Sequence, residues 1–151
     1  MELLDLDLTK AVEMLQKASN IAFIGGGGNL AISQHMAADF YRHTGKFCFA
    51  PDGIMLTSLG SDDDWKEPWL EYACQRAELV VATACRRPSK IVDALENIQI
   101  PTLLIAPRKH PQIETVVIPV ETYHEFEVNA LWCIYMLMEQ LGYKLPKLPH
   151  I

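Results

Sequence analysis

Two hydrophobic patterns alternate along this chain. From Leu8 to Ser19, apolar residues at Leu8, Ala11, Val12, Met14, Leu15 and Ala18 recur at helical spacing and predict an amphipathic helix over 8–19. Ile21-Ala22-Phe23-Ile24 is an unbroken apolar run, too short for a helix and ended by glycines, which predicts a buried strand. A loop, Gly25-Gly26-Gly27-Gly28-Asn29, leads into a second helix from Leu30 to His43, ended near Gly45. A strand over 46–50 closes at Pro51-Asp52-Gly53, and 54–59 reads as a short helix. Asp64, three residues before Glu67, predicts a capped helix start running to about Ala77. Strands follow at 78–83, 102–106 and 115–120, with a proline-started helix at 88–96 between the first two. A long apolar helix over 122–141 and an extended tail over 143–151 finish the chain.

Apolar strands alternating with helices predict a mostly parallel sheet covered on both faces, an α/β three-layer α-β-α sandwich. No repeat, linker or low-complexity stretch interrupts the 151 residues, so one domain is expected: a short helix over 8–19, a core over 20–142 and the tail. In such sheets ligands bind at the carboxyl ends of strands, near the point where the strand order reverses.

Composition narrows the function classes. Half the residues are apolar and 21% are charged, which fits a globular chain with a proper core. The net charge of −6 argues against nucleic acid or an anionic membrane as partner. No apolar run approaches the ~20 residues of a membrane span. The opening Met1-Glu2-Leu3-Leu4-Asp5 is acidic and unlike a signal peptide, and Cys48, Cys74, Cys85 and Cys133 form no C-x-x-C pair. A cytoplasmic protein with reduced thiols is the expectation.

The chemistry centres on the glycines. Each glycine costs backbone entropy on folding, and a plain turn needs one or two. More of them imply close approach of backbone N–H groups to a ligand, with the following helix N-terminus favouring an anion. The alternative is a tight strand–helix turn with surplus glycine. Two phosphate readings stand side by side. Gly26-x-Gly28-x-x-Ala31 fits a permissive dinucleotide fingerprint with Asp52 as ribose acid, which would make this an NAD-binding domain. The other reading is a sugar phosphate.

The segment from Ile24 through Gly25, Gly26, Gly27, Gly28, Asn29, His35 and Asp39 resembles the opening motif of the SIS (sugar isomerase) family, in its phosphoheptose isomerase and DnaA initiator-associating branch. Leu59-Gly60-Ser61-Asp62, the strand Glu78 to Thr83, Val117-Ile118-Pro119 and His124-Glu125 extend the likeness from about residue 20 to 140. The resemblance implies a five-stranded parallel sheet, a homodimer or homotetramer with sites at subunit interfaces, and a sugar phosphate as ligand. Gly25 to Asn29 would meet the phosphate and Asp62 the hydroxyls. Thr83, Cys85 and Ser89 occupy the family's serine-rich loop, where Arg86 and Arg87 enter; arginine binds phosphate bidentately.

Catalysis in the family pairs a glutamate on the helix after the glycine loop with a histidine on the last helix. Asp39 stands at the first position. The second lies eight residues beyond a glutamine of a Q-E-x-H motif; counting from His124 gives Trp132, which transfers no proton. An active enzyme, an aldose–ketose isomerase, would therefore use Asp39 as base and His124 as acid. A non-catalytic, partner-binding protein is the alternative. The family sometimes binds zinc in this pocket, and His35, Asp39 and His124 would form a His₂-carboxylate set, with Glu127 as a fourth candidate. No cofactor is required by this reading.

Overall fold

The computed structural model describes residues 4–53, 65–85, 89–145 and 147. Its elements are α1 (Thr9–Lys17), β1 (Asn20–Gly25), α2 (Gly28–Thr44), β2 (Phe47–Phe49), α3 (Lys66–Cys74), β3 (Leu79–Thr83), α4 (Lys90–Leu95), β4 (Thr102–Ala106), β5 (Glu114–Val117) and α5 (Tyr123–Gln140). The five strands form one sheet in the order β2-β1-β3-β4-β5, and every pairing is parallel. The three-layer α/β expectation holds.

Strand alternation divides the core in two. Ile21, Phe23, Leu79, Val81, Leu103, Ile105 and Val116 face α1, α2 and α5. Ala22, Ile24, Val80, Ala82, Leu104 and Ala106 face α3 and α4 on the opposite side. No helix among the described residues is long and apolar enough to cross a membrane.

The sheet order bears on the dinucleotide reading. A Rossmann domain has order 3-2-1-4-5-6, with three strands of one half side by side. Here β3 crosses to the far side of β1, so that half is not built. The order reverses between β1 and β3, whose carboxyl ends, Gly25 and Thr83, are register partners.

Several boundaries differ from expectation. The second helix begins at Gly28 rather than Leu30, because Gly27, with φ of 62°, turns the chain straight into it. Helix α3 starts behind Trp65 with no side-chain cap, and Asp64, the expected cap, lies outside the described residues, as does the 54–59 helix. A capping box opens α5, where Thr122 Oγ1 accepts from the Glu125 N–H and Glu125 Oε2 accepts from the Thr122 N–H.

Strands β4 and β5 are joined by residues 107–113, without a helix. Seven extended residues reach about 23 Å, enough to return along the sheet. Buried His110 holds this crossing. Its Nδ1 accepts from the N–H of Gln112 at 3.2 Å and of Ile113 at 3.1 Å, so the proton sits on Nε2, 2.9 Å from Glu96 Oε1. Its own N–H donates to Thr115 Oγ1 at 3.2 Å.

Candidate functional site

The glycine loop lies at the strand-order reversal, where β1 ends and α2 begins. Part of its composition follows from the fold itself. A Cβ at Gly25 would sit 2.9 Å from the Asn29 Cβ and nearer still to the Asn29 carbonyl. Gly27 has positive φ and serves as the α2 N-cap, where it offers no side chain. At Gly28 the neighbour comes from α5: a Cβ there would lie 2.7 Å from Glu127 Cδ, with Oε1 nearer still. Gly26 meets only ordinary contact with Ile91, at 3.5 Å.

Asn29 follows, 2% exposed. Its Nδ2 donates to Cys85 Sγ at 3.3 Å, across the gap between α2 and the end of β3. Among the described residues its buried Oδ1 has no hydrogen-bond partner. Thr83, the partner of Gly25, is also buried. The structure thus gathers Gly25 to Asn29, Thr83 and Cys85 at the carboxyl ends of the central strands β1 and β3. Ser89 is the N-cap of the six-residue α4 and makes no side-chain cap. Asp62, Arg86 and Arg87 lie outside the described residues.

A second cluster joins α2 to α5. His35 Nε2 lies 2.7 Å from Tyr135 Oη and 3.3 Å from Asp39 Oδ2, and Tyr135 Oη donates to Asp39 Oδ2 at 3.3 Å. Burial, then the charge of Asp39 and its hydrogen bond, push the Tyr135 hydroxyl above the ordinary tyrosine range. It therefore stays protonated beside a carboxylate, which is an acid–base arrangement. The side chains are open enough for a ligand to reach, with His35 53% and Asp39 22% exposed.

The expected set of His35, Asp39 and His124 does not assemble within the chain. His124 is exposed in the first turn of α5, eleven residues before Tyr135 and so about 16 Å along the axis. Among the described residues no group of three or more His, Cys, Asp or Glu side chains could hold a metal ion. Within one chain, this geometry brings together neither the zinc set nor the Asp39–His124 pair. From α5, Tyr135 hydrogen-bonds to Asp39. Counting back eight residues from Tyr135 reaches Glu127, which sits on the glycine loop.

Beside the loop, a cavity of about 620 Å³ opens at the carboxyl ends of β3 and β4; Cys85, Arg108, Glu121, Thr122, Tyr123 and Phe126 are among its lining residues.

No protein-family model and no curated protein matches this sequence. Solved structures do match. Phosphoheptose isomerase GmhA from Neisseria gonorrhoeae is similar at a TM-score of 0.67 and 19% identity, over 87% of this chain and 83% of that one. A phosphoheptose isomerase from Francisella tularensis is similar at 0.67 and 11% identity, over 86% and 80%. At these identities the likeness is one of fold: the chain has the SIS fold that phosphoheptose isomerases share.

Proposed function

We propose that this chain binds a sugar phosphate, with the phosphate at the glycine loop and an acid–base set altered from that of the phosphoheptose isomerases it resembles. The observation that carries this is the position of the loop. It lies at the carboxyl ends of β1 and β3, where the strand order reverses, and opens α2 without a side-chain cap.

In the catalytic form of the reading, Asp39 takes the proton from the carbon beside the carbonyl and Tyr135 supplies one to the carbonyl oxygen. Both are returned on the other side of the enediol, so an aldose becomes a ketose with no net proton change. Gly28 and Asp39 lie eleven residues apart on α2, about 16 Å along its axis. A homodimer or homotetramer, with sites at the subunit interfaces, is part of this reading. A non-catalytic, partner-binding role is the second reading. It is favoured by the engagement of Asp39 with His35 and Tyr135 inside the chain.

A thermal-shift series with pentose, hexose and heptose phosphates, NAD, NADP and divalent metals tests the proposal, since a ligand of the folded state raises Tm by mass action. Stabilisation by a sugar phosphate is expected, and stabilisation by NAD alone would sink it. Turnover of the stabilising sugar, abolished by Asp39→Asn, separates enzyme from binding protein. No response to any compound turns the search to protein partners.

A further inference from the structure

The cavity at the carboxyl ends of β3 and β4 is unlike a sugar site. At about 620 Å³ it has the size of a small-molecule pocket. Its interior is apolar: Ala84, Val92, Leu104, Ala106 and Phe126 line it, and all are buried. A polyol there would leave hydroxyls without partners, which is costly. Among the described lining residues, charge is confined to Arg108 and Glu121, both exposed at the mouth.

The fold fixes the backbone that carries each charge. Arg108 lies two residues before buried His110, whose Nδ1 accepts from the N–H of Gln112 and of Ile113 and so pins the crossing. Glu121 lies one residue before Thr122, where the capping box starts α5. Among the described residues neither side chain forms an ion pair, so the two share one cavity without meeting each other. Two other polar groups of the wall are already engaged. Thr122 Oγ1 donates to Glu125 Oε2 at 2.8 Å, and Cys85 Sγ accepts from Asn29 Nδ2.

We propose that this cavity is a second binding site, for an apolar α-amino acid. The ligand's side chain takes the interior, its carboxylate meets Arg108 and its ammonium meets Glu121. A cation and an anion that share a mouth without touching match a zwitterion. A simple carboxylate would be held by one and repelled by the other. The proposal goes beyond the phosphosugar reading and does not rest on it.

Thermal-shift titration of the full chain with leucine and with phenylalanine is the first test. At about 10 mM, at least one should raise Tm by about 2 °C or more. 4-Methylpentanoate lacks leucine's ammonium and 3-methylbutylamine lacks its carboxylate. Each should give less than about half of leucine's shift at equal ionic strength. Calorimetry with the stabilising amino acid should show affinity weaker by about tenfold in Arg108→Gln and in Glu121→Gln. Both residues are exposed, and unchanged ligand-free Tm values show that the variants fold. No shift with either amino acid, an equal shift with either analogue, or unchanged affinity in either variant overturns the proposal. Stabilisation by a sugar phosphate but by neither amino acid overturns it and leaves the phosphosugar reading standing. The reverse result keeps this site and removes that reading.

Discussion

Replacing His110 by alanine removes the side chain that holds the only helix-free crossover described in the sheet. Gln112 and Ile113 would each lose the acceptor of a backbone N–H. A donor left unsatisfied at such a site costs about 1 kcal/mol or more. The ring is 2% exposed as part of a buried residue, so its removal leaves a void worth about 1 kcal/mol further. The bond to Glu96 adds little, because that carboxylate is 45% exposed. The sum is about 3 kcal/mol, or about 6–12 °C of Tm for a domain of this size. His110→Asn separates the parts. Its amide oxygen offers an acceptor where Nδ1 stood, so the loss should shrink to about 1–2 kcal/mol. Urea denaturation of the three proteins, with unchanged m-values, measures both. A loss below 1 kcal/mol in His110→Ala, or equal losses in the two variants, would refute the acceptor argument.

Three further outcomes are expected. Tyr135 should titrate above the ordinary tyrosine value, chiefly through burial and then through Asp39, as read from phenolate absorbance against Tyr135→Phe. Because its pKa is raised in the folded state, its contribution is complete below about pH 10 and is lost as pH rises from there through the folded value; Asp39→Asn should narrow that window. Thr122→Ala breaks the α5 capping box and should cost about 1 kcal/mol, measured as a Tm shift of about 2–4 °C. Burial pushes the Cys48 and Cys133 thiols up to about 12, so neither should alkylate in the folded protein near neutral pH, while both react after denaturation. Modification of folded Cys133 would contradict its burial.

The sheet was legible because buried parallel strands leave short apolar runs that glycine and proline punctuate, as at Ile21 to Ile24 and Thr102 to Ala106. The helix starts were less so. Asp64-x-x-Glu67 and Thr122-x-x-Glu125 are equally good capping patterns; the second is a capping box in the structure, and Asp64 lies outside the described residues. The glycine loop was read as backbone making room for a ligand. Gly25, Gly27 and Gly28 each have a reason inside the chain: an approaching carbonyl, a positive φ and an approaching carboxylate. The last of these depends on a residue about a hundred positions away, which no local pattern contains.

The same long-range dependence explains why Tyr135 was not singled out. An eight-residue interval on the last helix can start from His124 and end at Trp132, or start from Glu127 and end at Tyr135. The two frames differ by three residues, close to one turn, so they lie on nearly the same face and share the same apolar periodicity. Sequence spacing cannot choose between them. What chooses is the height of α5 against α2. Its packing puts Glu127 beside Gly28 near the start of α2 and Tyr135 beside His35 and Asp39, two to three turns further on. The two contacts fix one register together, since each lies eight residues beyond or before the other on α5 and seven to eleven apart on α2. In that register the Tyr135 hydroxyl, three residues beyond Trp132, lies 3.3 Å from Asp39 Oδ2.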